Sequence, residues 1–170
     1  EESLEDAAIR ELIEETGVKD VYLEQLYTFG DPKRDPRGRV ITIAYFALIP
    51  SGSIKLKATT DVIEAEWFSV KKLPNLAFDH QKIVNYAIDR LKNKIEYSNI
   101  VHCLLPDKFR LSELQKFYEI ILGHSLDKRN FRKRMLSVGL LKSTGVKELE
   151  GAHRPAMLYQ FKTKEVIFFD

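Results

Sequence analysis

The sequence predicts an α+β fold in two units, 1–95 and 96–170, and three observations predict it. Residues 3–49 pass from an amphipathic helical pattern into two strand-like runs. After about Asn93 the pattern changes to two helical segments joined by a short turn and followed by a hairpin. The charge divides at the same place, with net −2 over 1–95 and net +4 over 96–170. A front bearing carboxylates and a basic back imply two tasks, the second with an anionic partner.

The first helix is expected from about Ser3 to Glu15. Ser3 suits an N-cap, Asp6 supplies an acidic first turn, and Gly17 suits the residue that ends the helix. Leu4, Ala8, Ile9, Leu12 and Ile13 form its apolar stripe. Strands are expected at Val21–Phe29 and Arg39–Ile49. The second is almost wholly apolar or β-branched, which predicts a buried strand. Between them Gly30-Asp31-Pro32-Lys33-Arg34-Asp35-Pro36-Arg37-Gly38 reads as a loop. A third strand is expected over Ile63–Phe68. An amphipathic helix over 79–95 would point Ile83, Val84, Ala87, Ile88 and Leu91 inward.

In the back half, Leu111, Leu114, Phe117, Tyr118 and Ile121 recur at helical spacing up to Gly123. Asp127 would cap a second helix, Lys128–Val138, with Phe131, Met135 and Val138 as its core stripe. A polar stretch and the strand-like Met157–Phe161 complete a helix, turn, helix and hairpin, the layout of a winged helix-turn-helix. Arg129, Asn130, Arg132 and Lys133 are left for the exposed face of the second helix. That composition suits reading of base edges and phosphates, and equally a solvated basic helix; the position within the motif favours reading. Residues Gly145–Pro155 would form the wing, with His153 and Arg154 near the DNA backbone or minor groove.

The first helix carries Glu11, Glu14 and Glu15 on roughly one side. Stacked like charges destabilise a helix, and a divalent cation with oxygen ligands would offset the repulsion. A solvated acidic face is the alternative. Glu2, Arg10, Glu11, Leu12, Glu14, Glu15, Gly17 and Val18 together match the spaced pattern of the Nudix box, and on these residues the front half resembles the Nudix family. The family's leading glycine would lie six residues before Glu2, so the chain is expected to be a fragment lacking the first strands of a Nudix α/β/α sandwich. The resemblance implies cleavage of a nucleoside diphosphate linkage by a metal-bound water. It implies Mg²⁺ or Mn²⁺ on Glu14 and Glu15, with Glu11 a ligand or base, and Arg10 holding a neighbouring carboxylate. Glu2 is a structural residue or further metal contact, and Glu64 or Glu66 an additional catalytic candidate.

The loop Asp35-Pro36-Arg37-Gly38-Arg39 resembles that of ADP-ribose-type Nudix proteins and their regulator relatives. Arg37 and Arg39 would then clamp phosphates, where otherwise the loop is a polar turn. Leu76-Ala77-Phe78-Asp79-His80 resembles the same subgroup, although His80 reads best as a polar residue in a first helical turn. The segments Phe109–Gln115, Leu126–Lys133 and Arg154–Tyr159 resemble the winged helix of Nudix-related transcriptional regulators, which control NAD or sugar metabolism genes.

The expected function is therefore a regulator that binds a nucleotide-type or sugar-type ligand such as ADP-ribose. Through Lys128, Arg129, Asn130, Arg132, Lys133 and Arg154 a homodimer would bind a double-stranded DNA operator. The alternative is a working hydrolase of ADP-ribose-like substrates, since every carboxylate of the box is intact. The one cysteine, Cys103, excludes an intrachain disulfide and fits the reducing cytoplasm. No apolar run approaches the ~20 residues of a membrane span.

Overall fold

A computed structural model describes residues 1–50, 66–148 and 155–169. The chain divides into two compact units, Glu1–Arg90 and Leu91–Asp170.

In the first unit, α1 spans Leu4–Thr16. The Ser3 hydroxyl accepts the Asp6 N–H at 3.0 Å. Gly17 closes the helix at φ 71° and donates its N–H to the Ile13 carbonyl at 2.8 Å. Glycine adopts this left-handed conformation without a Cβ clash. Strands β1 (Tyr22–Phe29) and β2 (Thr42–Leu48) pair antiparallel from Tyr22↔Leu48 to Phe29↔Thr42, with a bulge between Gln25 and Tyr27. Helix α2 spans His80–Tyr97 and lays Ile83 and Ala87 against the buried cluster of Leu26, Phe29 and Ala44.

Two expectations fail here. The apolar stripe of α1 is not a core face: no residue of the helix is buried, and Leu4, Ile9 and Ile13 are exposed. Strand β2 is not buried on both faces either. Ala44 and Leu48 are buried, while Ile41 and Ile43 are exposed, because among the described residues β2 has only β1 beside it. The strand expected over Ile63–Phe68 falls largely outside the described residues. Its end, Glu66–Phe68, is irregular, with Trp67 and Phe68 exposed.

The second unit contains the last two turns of α2, a 3₁₀ helix (Ile100–Leu104), β3 (Phe109–Arg110), α3 (Leu111–Leu122), α4 (Lys128–Ser137), β4 (Leu141–Glu148) and β5 (Ala156–Phe161). The strands form one antiparallel sheet in the order β3-β5-β4. Ile95, Ile100, Val101, Phe109, Leu114, Tyr118, Phe131 and Met135 are buried in it. The helix pair and hairpin thus stand where their periodicity placed them, within an α+β chain. The two-residue strand β3, which pairs Phe109 with Tyr159, has no periodicity of its own to announce it.

Candidate functional site

The carboxylates of α1 gather around a cation that the chain itself supplies. Arg10 lies 2.8 Å from Glu2, 2.8 Å from Glu11 and 3.0 Å from Glu14, all through guanidinium nitrogens and carboxylate oxygens. Glu2 takes two of its N–H groups, Nη2 at 2.8 Å and Nε at 3.3 Å. Hydrogen bonding from Arg10 holds the Glu2 carboxyl below its ordinary range, and chiefly the bonds it donates to Glu2 push the guanidinium above its own. Every partner is exposed, so these pairs orient the side chains more than they stabilise the helix. Glu15 is exposed as well and pairs with no described residue.

Carboxylate oxygens are the donor type a hard divalent cation takes, and here the Arg10 guanidinium lies among three of them. Among the described residues no group of three or more His, Cys, Asp or Glu side chains is arranged to hold a metal ion. Glu64 lies outside the described residues, and Glu66 is exposed in an irregular segment.

The loop after β1 folds on its own charges. Asp35 is buried and accepts the Arg37 N–H at 2.9 Å and its Nη2 at 2.7 Å. These bonds hold the Asp35 carboxyl down at about 2. The Arg37 guanidinium also stacks on Phe78, 4.7 Å from the ring centre. Arg39 donates to the Gly30 carbonyl at 2.6 Å. Arg37 and Arg39 therefore both stand at the loop surface with intramolecular partners.

Sequence reasoning passed over the neighbouring Arg34. Its side chain is 5% exposed and grips Asp79 with Nε at 3.0 Å and Nη2 at 2.8 Å, while Nη1 reaches Thr42. Only an unpaired Asp just before a helix could have pointed to that partner. His80 sits in the first turn of α2, with its ring 6.0 Å from that of Phe78.

In the second unit the turn between α3 and α4 is stapled by two side chains of α3. Gln115 donates to the Leu126 carbonyl at 2.9 Å, and Glu119 accepts the Leu126 N–H at 2.9 Å. That N–H bond, with one from Gln115, keeps the Glu119 carboxyl low. Asp127 caps α4 by accepting the Asn130 N–H at 2.8 Å. Phe131 packs edge-on against Tyr118, with ring centres 5.2 Å apart. Burying Phe131 and Met135 turns the opposite face outward. Lys128, Arg129, Asn130, Arg132 and Lys133 are all exposed on α4. None of the four cations forms an ion pair with a described residue.

Of the wing, β4 and β5 are described, with a bulge between Ser143 and Lys147. His153 and Arg154 lie outside the described residues. Arg110, at the edge of the sheet, pairs with Glu113 at 2.8 Å, and Glu113 accepts the Arg110 backbone N–H at 2.7 Å. The Glu three residues after Arg110 is the sequence signal of this capping arrangement.

No helix among the described residues is long and apolar enough to cross a membrane.

Comparison with known proteins agrees with this geometry. Residues 1–87 match the model of the NUDIX domain, and residues 101–161 match that of the NrtR DNA-binding winged helix domain. The chain is 40% identical to the ADPR responsive transcriptional repressor NtrR of Acinetobacter baylyi, over 99% of this chain and 67% of that protein. The crystal structure of Shewanella oneidensis NrtR complexed with a 27mer DNA superposes with a TM-score of 0.80 at 37% identity, covering 95% of this chain and 74% of that one. The front half is 45% identical to an ADP-ribose pyrophosphatase of Methanocaldococcus jannaschii, over 49% of this chain and 48% of that protein. The Nudix match and this pyrophosphatase point in general terms to divalent-metal dependence. A Nudix box on α1, joined in one chain to a winged helix with an exposed basic α4, places this protein in the Nudix family, in the branch that carries the NrtR winged helix domain.

Proposed function

We propose that this chain is an ADP-ribose-responsive transcriptional repressor. Its Nudix part, about 1–95, binds the nucleotide-type ligand, and its winged helix, about 96–170, binds a double-stranded DNA operator. The observation that carries this reading is the basic face of α4, unpaired among the described residues and held out by a buried Phe131 and Met135. It occurs in a chain alike over nearly its whole length to an ADPR responsive repressor and to a DNA-bound NrtR.

Lys128 and Lys133 suit phosphates, Arg129 and Arg132 suit guanine edges, and Asn130 suits adenine. Arg154 is assigned to the backbone or minor groove beside the wing. Arg37 and Arg39 suit the ligand's diphosphate, for which a planar guanidinium offers two parallel donors. The ligand acts by binding the DNA-free and DNA-bound forms with different affinity, since nothing else can shift that equilibrium. The working form is placed in the cytoplasm as a homodimer on a palindromic operator.

A second reading, retained hydrolysis of ADP-ribose, is supported by the intact Glu11, Glu14 and Glu15 and by the likeness to a pyrophosphatase. These three carboxylates would hold Mg²⁺ or Mn²⁺, which when bound would supply charge neutralisation and an activated water. Arg10 would keep Glu11 and Glu14 oriented.

The test is fluorescence anisotropy of a labelled upstream duplex with and without ADP-ribose, beside Mg²⁺-dependent cleavage by wild type and Glu15→Gln. Duplex binding at low salt that ADP-ribose weakens is expected. No binding, or binding indifferent to ADP-ribose, sinks the repressor reading. Equal cleavage by both proteins sinks the assignment of Glu15, and cleavage by neither sinks the hydrolase reading.

A further inference from the structure

Two contacts join the Arg37 loop to the residues that open α2, and a third ties the loop to β2. Arg34 grips Asp79 through two hydrogen bonds and is almost fully buried. Thr42 of β2 holds the third guanidinium nitrogen. Arg37 stacks on Phe78, the residue next to Asp79. Phe78 itself is half exposed and has φ 51°, a left-handed conformation uncommon for a bulky residue.

The Asp79 carbonyl then accepts the first backbone bonds of the helix, from Lys82 at 2.9 Å and Ile83 at 3.3 Å. The helix so begun runs unbroken to Tyr97, past the division of the two units after Arg90. A continuous hydrogen-bonded path therefore leads from the loop into the second unit and needs no contact between the units.

We propose that Arg34, Asp79 and Phe78 are positioning residues, a clasp through which occupancy of the Arg37 loop is transmitted to α2. This rests on the repressor reading and deepens it. Arg37 has one guanidinium to share among Asp35, Phe78 and a ligand phosphate. A diphosphate taking two of its donors draws it off the ring. Phe78 is then free to leave its strained conformation, and Asp79 carries the change to the first turn of α2. The Arg34–Asp79 pair keeps that change from dissipating in the loop.

The experiment measures DNA affinity by anisotropy with and without saturating ADP-ribose, and ADP-ribose affinity by calorimetry, for the whole chain and for Asp79→Asn and Phe78→Ala. Hydrogen exchange at the Lys82 and Ile83 amides reports on the first turn directly. In the variants DNA affinity measured alone stays near wild type; ADP-ribose affinity stays near wild type in Asp79→Asn and is unchanged or tighter in Phe78→Ala, where Arg37 has no ring to leave. The factor by which ADP-ribose weakens DNA binding falls at least about fivefold, the lower edge of ordinary allosteric coupling. ADP-ribose changes exchange at the two amides in wild type and no longer does so in the variants.

Should Asp79→Asn fail to fold, Phe78→Ala decides, because it leaves the ion pair intact. Undiminished coupling in a folded variant overturns the clasp while leaving the repressor reading standing. Loss of ADP-ribose affinity in Phe78→Ala also overturns it, by placing that residue in the binding site. A wild type whose DNA binding ignores ADP-ribose overturns the repressor reading and the clasp with it.

Discussion

Replacing Lys128 and Lys133 together by Ala tests whether α4 meets DNA through its exposed face. Both lysines are exposed and form no ion pair with a described residue, so their loss strands no partner among the described residues. Alanine favours helix, so α4 itself should persist. Each cation that neutralises a phosphate releases a counterion and adds about −0.9 to the slope of log K against log salt. If Lys128 and Lys133 act in this way in both protomers of the homodimer, the four lysines together add about −3.6 to the slope. Raising salt from about 50 to about 200 mM then weakens binding about 150-fold through them alone. With both replaced in each protomer the slope is shallower by about 3.6 and that share of the salt sensitivity is lost. Anisotropy of an upstream duplex across that salt series measures the slope, with far-UV circular dichroism as the check on folding. A folded double variant with the wild-type slope would refute the placement of these lysines on phosphates.

Phe131→Ala should destabilise the second unit by about 3–5 kcal/mol, because it empties a buried site and removes the edge-on partner of Tyr118. Chemical denaturation followed near the winged helix measures it, and a loss under about 1 kcal/mol would show that the site collapses. Asp127→Ala removes the N-cap of α4 and should cost about 1 kcal/mol, most of it restored by Asn, which can accept the same Asn130 N–H; equal losses in both variants would contradict the cap. Asp35, held at about 2 by Arg37, binds its proton later in the folded loop than in the unfolded chain, where the carboxyl titrates near ~4. Its contribution is therefore fully present above ~4 and disappears as pH falls toward about 2. Carboxyl NMR of Asp35 should show the low midpoint, and a midpoint near ~4 in wild type would mean the Arg37 pairing does not hold.

Helix ends were the most legible part of the fold because caps are local. Ser3, Gly17, Gly123 and Asp127 each act within a few residues of the backbone they satisfy, and all four end or begin helices as their positions imply. The exposed basic residues of α4 were legible for a related reason. Once Phe131 and Met135 go inward, the period of the helix turns Arg129, Arg132 and Lys133 outward. Burial was less legible. The apolar run through β2 reads as a central strand, yet Ile41 and Ile43 are exposed, since burial depends on what packs against a strand and not on its own composition.

By itself the sequence determined the order of helices and strands, the grouping of acidic residues on α1 and basic residues on α4, and the family. Each of these rests on residues close together along the chain or on fixed spacing. Tertiary structure alone decided which distant residues meet. Arg34 finds Asp79 across 45 positions, and the two residues of β3 pair with β5. Such partners are selected by the folded path of the chain, because an ion pair needs proximity in space and leaves no periodic trace in the sequence.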